Sequence, residues 1–241
     1  MTYCVGLLLD QGMVLLSDTR TNAGLDNIAT YRKMFVFEDP GERVVTILTA
    51  GSLSVTQTTI ARLREAIEHP DSSTDTSIMQ APTMLAVAEI IGNTLASVRQ
   101  DIDHKMNASK VTVSASMIVS GQRKGGTMRM FLVYPEGNFI EATEDTPFLQ
   151  IGEHKYGKPI LDRVVRPATS LEDAQKAVLL SMDSTLRSNL SVGMPLDLAV
   201  IEKDACKVGL RKRIEKDDAQ FAAMSLAWSE ALRDGFSRIT L

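Results

Sequence analysis

The chain has 241 residues, 44% hydrophobic and 23% charged, which is enough apolar material for a sizeable core in one large domain or two small ones. Its formal net charge of −4 argues against a nucleic-acid partner or an anionic membrane surface, because either favours a basic face. Two cysteines, Cys4 and Cys206, make no disulfide framework, and no apolar run is long enough to span a bilayer. The N-terminus has no basic stretch of the kind that opens a signal peptide, and Asp10 interrupts its apolar run early, so the cytoplasm is the expected location.

Val5 to Leu9 and Met13 to Ser17 read as two β-strands hinged at Asp10-Gln11-Gly12. Both are almost continuously apolar, which predicts strands covered on both faces. Thr19 to Tyr31 is polar and reads as an excursion. Met34 to Glu38 and Val44 to Leu48 form a second hairpin around the Asp39-Pro40-Gly41 turn. Ala50-Gly51-Ser52 then stops the strand and starts a helix, with Ser52 or Ser54 as its cap and Ile60, Leu63 and Ile67 on its buried stripe. Asp71 to Gln80 reads as a loop. Pro82 suits the first turn of a second helix, in which Met84, Val87, Ile91, Leu95, Val98 and Ile102 recur at helical spacing.

After a loop over Asp103 to Lys110 the period returns to two. Val111 to Ser120, Thr127 to Tyr134 and Asn138 to Ala142 read as a meander with turns at Gly121 to Gly126 and Pro135-Glu136-Gly137. Phe148 to Ile151 is a further strand, followed by a helix over Gly157 to Val165. Ser170 and Asp173 make a capping box for the next helix. Ser188 to Gly193 is a turn region. Leu196 to Ile201 and Lys207 to Arg213 form a last hairpin, and a C-terminal helix over Asp217 to Asp234 is expected to bury Phe221, Met224, Leu226 or Trp228, and Leu232. Arg211-Lys212-Arg213 is a local basic patch, but Glu215, Asp217 and Asp218 follow it, so it reads as a solvated face. Runs of strands beside runs of helices predict an α+β fold: a four-layer αββα sandwich held as one domain over residues 1–241.

The chemistry gathers at the N-terminal end. Loss of Met1 would leave Thr2 with a hydroxyl and a free α-amine on one residue, a nucleophile with a built-in base. An α-amine has an ordinary pKa of about 7.7–8.0, so it accepts a proton near neutrality. The Lys33 ammonium would lower that value further, and Asp18 would keep Lys33 protonated and oriented. Gly51, at a strand-to-helix junction, is the natural N–H donor for an oxyanion. Cys4 also lies near the N-terminus but reads as a small buried hydrophobe rather than a nucleophile. Glu153 and His154 lack the further clustered ligands that a metal site needs, so neither a metal nor a cofactor is expected.

Three stretches carry a family resemblance: the opening Thr2-Tyr3-Cys4-Val5-Gly6-Leu7, the run Ser17-Asp18-Thr19-Arg20-Thr21-Asn22-Ala23-Gly24, and Gly152 to Leu161. The pattern resembles the proteasome β-subunit and the bacterial two-ring threonine protease, which are N-terminal-nucleophile hydrolases. More closely it resembles the bacterial proteasome-related family called Anbu, the ancestral β-subunit. The resemblance implies a catalytic set of Thr2, Asp18 and Lys33, supported by Arg20, with Gly51 at the oxyanion. It puts the flanking pocket at Thr21, Tyr31, Thr49 and Leu53. It also implies self-association into a ring or open spiral and a peptide or smaller amide as substrate, while leaving any ATPase partner unnamed.

Two departures stand out. Where relatives carry a serine in a Gly-Ser-Gly stretch, Gly152 is followed by Glu153. Where they carry Asp-x-x-Ser-Gly-Gly, this chain has Ser188-Asn189-Leu190-Ser191-Val192-Gly193, so Ser188 replaces the aspartate and Ser191 is kept. The expected activity is a threonine-type amide or peptide hydrolase. The alternatives are a non-catalytic assembly subunit like the proteasome α-subunits and a small-molecule amidase.

Overall fold

The computed structural model of the protein describes residues 1–22, 28–70, 76–106 and 113–240. The apolar runs behind Thr2 form β1 (Tyr3–Leu9) and β2 (Gly12–Asp18), and every residue of β2 is buried. The polar excursion is a small ribbon of β3 (Arg20–Asn22) against β4 (Ile28–Thr30), not an irregular loop. Its Ala23-Gly24 tip lies outside the described residues. The second hairpin is β5 (Met34–Asp39) with β6 (Arg43–Gly51), and α1 (Leu53–Glu68) follows. Ser52 stands at the α1 cap, but its hydroxyl pairs with Ser54 at 2.9 Å instead of capping the helix.

The next helix, α2 (Met84–Met106), differs from the reading at both ends. Thr83 caps it through Ala86 N at 3.1 Å, which leaves Pro82 outside. It also runs through Asp103 to Met106, where a loop was expected. Asp71 to Asp75, the rest of the second loop and Val111 lie outside the described residues. Then come β7 (Ala115–Arg123), β8 (Arg129–Val133), β9 (Phe139–Glu141) and β10 (Phe148–Gly152). Strand β7 takes in Gly121 to Arg123, residues expected in a turn, because β6 extends far enough to pair with them. Helices α3 (Lys158–Val164) and α4 (Leu171–Ser188) follow, with Ser170 accepting from Asp173 N at the α4 cap. The chain closes with β11 (Leu196–Glu202), β12 (Leu210–Ile214) and α5 (Ala219–Ser237). Strand β12 starts three residues later than predicted, after a turn in which Cys206 takes φ 48°.

Two five-stranded antiparallel sheets stack, in the orders β10-β1-β2-β11-β12 and β5-β6-β7-β8-β9. The continuous apolar runs now have their reason. On β2, Val14 and Leu16 face a core shared with α3 and α4, while Met13 and Leu15 face the opposite sheet. The periodic residues of α2, together with Ile60 and Leu63 of α1, pack on the outer face of the second sheet. The layers are therefore helix, sheet, sheet, helix: the predicted α+β sandwich.

Helix α5 departs from expectation. It buries none of its residues: Phe221, Met224 and Trp228 are half-buried, while Leu226 and Leu232 are 58% and 54% exposed. It lies beside α4, where Ser225 and Arg187 share Asp183, and beside β12, where Lys212 meets Gln220; its other side has no neighbour among the described residues.

Strand register sets the site. Tyr3 pairs with Gly152, Cys4 with Ser17, and Met34 with Leu48. The start of β1, the ends of β2, β6 and β10, and the start of β5 therefore meet at one end of the sandwich.

Candidate active site

Asp18 ends β2 fully buried, and Lys33 just precedes β5 with 3% exposure. The Lys33 Nζ donates to Asp18 Oδ1 at 2.7 Å and to the Arg20 carbonyl at 2.6 Å. Two backbone groups complete the carboxylate: Tyr3 N donates to Oδ1 at 3.1 Å and Gly193 N to Oδ2 at 3.2 Å. Burial pushes the Asp18 carboxyl up, and Lys33 with these two N–H groups opposes the shift. A buried ion pair holds when most of its remaining hydrogen-bonding capacity is met; here backbone groups serve both oxygens of Asp18 and a second N–H of Lys33, and the third N–H of Lys33 has no partner among the described residues.

Tyr3 anchors the strand behind Thr2. Its hydroxyl lies 2.5 Å from Ser181 Oγ on α4 and accepts from Gln150 Nε2 at 2.6 Å, and burial pushes it up to about 12. Cys4 is wholly buried between the sheets with its thiol directed at the Thr49 carbonyl, and burial pushes that thiol up. A thiol so desolvated is inert, so Cys4 packs and does not react.

Thr2, Lys33, Gly51, Thr21, Thr49 and Leu53 line one cavity of about 310 Å³, and Met1 lies on its wall. Gly51 sits at φ +110°, and a Cβ there would come within 2.3 Å of the Ser114 carbonyl oxygen, so only glycine fits. Gly152 is held as tightly from the other side: its φ is +81°, and a Cβ would meet the Thr2 carbonyl at 2.0 Å. Tyr31 is not among the residues lining this cavity; it is 40% exposed and its N–H bonds the Thr19 carbonyl.

The remaining site residues lie around a loop from α4 to β11. Arg20 donates to the Leu190 carbonyl at 2.8 Å, and Thr19 N and Arg20 N both reach the Gly193 carbonyl. These contacts clamp the loop so that Gly193 N meets Asp18. Glu153 donates its N–H to the Thr2 carbonyl at 2.7 Å, while its carboxylate accepts from Asn189 Nδ2 at 3.1 Å. Asn189 Oδ1 in turn accepts from Ser191 N. Ser188 is the exposed last residue of α4.

A family model described as "Proteasome subunit" matches residues 2–201. The chain is 24% identical over 204 residues to proteasome subunit beta 2 of Pyrobaculum calidifontis, an alignment covering 84% of this chain and 90% of that protein. Among solved structures it is similar to an Anbu (Gly-1) mutant from Hyphomicrobium sp. strain MC1, at 48% identity and TM-score 0.91 over 100% of this chain and 99% of that one. Anbu from Yersinia bercovieri matches at 40% identity and TM-score 0.91, covering 99% and 98%. The helical assembly of the Anbu complex from Pseudomonas aeruginosa matches at 43% identity and TM-score 0.92, covering 99% and 97%. The chain belongs to the Anbu family of proteasome-related proteins.

As an Anbu-family chain it has a proteasome β-subunit-like fold of the N-terminal-nucleophile hydrolase type. Sequence reasoning missed three residues that shape its site. Gly193 acts through its backbone N–H, which no side-chain pattern announces. Asn189 was noted only as part of a stretch, yet it joins Glu153 to Ser191. Thr56 of α1, a residue with no motif of its own, also lines the cavity.

Proposed function

We propose that this Anbu-family chain is an N-terminal threonine hydrolase of amide bonds, with residues 1–241 acting as one proteasome-type domain. The observation that carries this reading is the buried Asp18–Lys33 pair, braced by backbone groups, whose Lys33 lines the same cavity as Thr2 and Gly51. Once Met1 is removed, the α-amine of Thr2 takes the Oγ proton as Oγ attacks the amide carbonyl, directly or through one water. The Lys33 ammonium lowers the pKa of that amine by charge repulsion and stabilises the forming alkoxide. Asp18 holds the Lys33 ammonium in place and aimed. The N–H of Gly51 receives the oxyanion, at a position where φ +110° and the nearby Ser114 carbonyl leave no room for a side chain. The amine then passes its proton to the leaving nitrogen, and water releases the acyl group from Oγ. A cavity of about 310 Å³ takes one or two side chains of a peptide, or a small amide.

The test uses protein whose first residue is shown by intact mass to be Thr2. A β-lactone or epoxyketone electrophile should add once, on Thr2, and Thr2→Ala should abolish both the adduct and the hydrolysis of a peptide and amide panel. No adduct on a chain that begins at Thr2 overturns the reading. One observation favours the second reading, a non-catalytic assembly subunit: Glu153 and Ser188 stand where the resemblance puts supporting hydroxyl and aspartate groups, and Ser188 is exposed at the end of α4.

Self-association also belongs to this proposal. The P. aeruginosa relative is described as a helical assembly. The outer face of α5, with Leu226, Leu232 and Phe236 at 58%, 54% and 80% exposure, offers a second copy an apolar seat. Light scattering on Leu232→Glu/Phe236→Glu should show a smaller particle than wild type, and an unchanged mass would remove α5 from the assembly.

A further inference from the structure

Strands β5 and β12 are edge strands of the two stacked sheets, and each leaves one side of its backbone unpaired among the described residues. Between them lies a groove of about 400 Å³, separate from the Thr2 cavity. Its walls carry Arg32, Arg64, Arg211, Lys212 and Arg213 against a single carboxylate, Asp197. Met34, Phe35 and Val36 supply its apolar floor. The sequence reading took the Arg211 to Arg213 patch as a solvated face balanced by its own acids. That holds for part of it: Lys212 pairs with Asp218 at 3.3 Å, and Arg213 is shared between Asp197 and Glu215 at 3.4 Å each. Folding, however, brings Arg32 and Arg64 to the same place. Arg32 and Arg211 are exposed and make no ion pair among the described residues.

A net charge of −4 makes this concentration of cations a local feature, not a spill-over of general basicity. Crowded like charges repel, and an anion in the groove would relieve them. The walls therefore ask for acceptors. The one carboxylate among them asks for a donor: Asp197 Oδ2 is buried with no hydrogen-bond partner. A phosphodiester or fully ionised phosphate group offers acceptors alone. A nucleic-acid strand would want an aromatic surface for its bases, and the one aromatic ring in the groove, Phe35, is already covered by the Arg64 guanidinium at 5.6 Å. An extended peptide with carboxylate side chains offers both kinds of group. Its carboxylates suit the planar fork of arginine, and its main-chain N–H groups suit Asp197 and a free strand edge.

We propose that the groove between β5 and β12 is a binding site for an extended acidic peptide segment, held chiefly by Arg32 and Arg211. The site is a docking surface and takes no part in bond cleavage. It stands whether or not Thr2 is a nucleophile.

The experiment uses the full chain carrying Thr2→Ala, so that nothing is turned over, and follows fluorescence anisotropy of labelled Glu-Val-Glu-Val-Glu-Val against labelled Lys-Val-Lys-Val-Lys-Val. The acidic probe should bind at least about tenfold tighter than the basic one, and binding should weaken as salt is raised from about 50 to 300 mM. Arg32→Ser/Arg211→Ser should lose at least about tenfold in affinity for the acidic probe at unchanged circular dichroism and unchanged particle mass. Equal affinity for the two probes, or no loss in the double variant, overturns the proposal. So does competition by a single-stranded oligonucleotide or by inorganic polyphosphate at lower concentration than by the unlabelled peptide. If the double variant instead changes particle mass, the groove is a contact between copies of this chain and the proposal fails.

Discussion

Arg32 and Lys33 are neighbours in the chain and opposites in their surroundings. Lys33 is 3% exposed, and its ammonium is bound by a carboxylate and a carbonyl that are themselves fixed by the backbone of β1, β3 and the loop before β11. Arg32 is exposed, lines a groove crowded with other cations, and has no ion-pair partner among the described residues. Both arrangements place positive charge beside a cavity. The difference lies in what each charge is free to do. A charge that must hold one position relative to a nucleophile has to be immobilised, and inside a protein that requires fixed partners around it. A charge meant to capture something from outside has to keep its capacity unspent. The Asp18–Lys33 pair is of the first kind and the Arg32–Arg211 set of the second.

The contrast breaks most visibly at Lys33. Lys33→Met removes the ammonium and leaves Asp18 buried with its charge uncompensated, a situation that typically costs about 3–5 kcal/mol. Urea unfolding of Lys33→Met should show a loss of that size. Asp18→Leu/Lys33→Met should recover a large part of it, because an apolar pair of similar volume has no charge to desolvate, although Tyr3 N and Gly193 N then lose their acceptor. A single-variant loss below about 1 kcal/mol would mean that water reaches Asp18, and the pair would then belong with the exposed charges.

The sandwich was legible because the sequence carries its two periods cleanly. Continuous apolar strands such as Gly12 to Ser17 can exist only between two covers, and α2 shows its stripe at Met84, Val87, Ile91, Leu95 and Val98 without interruption. Helix α5 misled for the same reason. Its apolar residues have helical spacing, and periodicity reports that a face is apolar without reporting whether this chain covers it. At the site, Asp18 and Lys33 were legible as charges bordering apolar strands, and the cavity does bring Thr2, Lys33, Gly51, Thr21, Thr49 and Leu53 together. Gly193 was not, since a backbone N–H has no sequence signature. The basic groove was hidden because Arg32, Arg64 and Arg211 are far apart in the chain and meet only when β5, α1 and β12 come to one edge.

The smallest expected effect sharpens the contrast from the other side. Arg211→Ser removes a cation that has no ion-pair partner among the described residues and stands among others of its own sign. It should therefore change unfolding free energy by no more than about 0.5 kcal/mol, the ordinary range for an exposed position. The sign should favour the variant at low salt, where relief of repulsion is felt across roughly 30 Å at 0.01 M, and vanish by 1 M, where the screening length is about 3 Å. Paired urea titrations of wild type and Arg211→Ser at those two salt concentrations measure both size and sign. A loss above about 2 kcal/mol, insensitive to salt, would show that Arg211 is locked into the fold as Lys33 is, and the division between held and available charge would collapse.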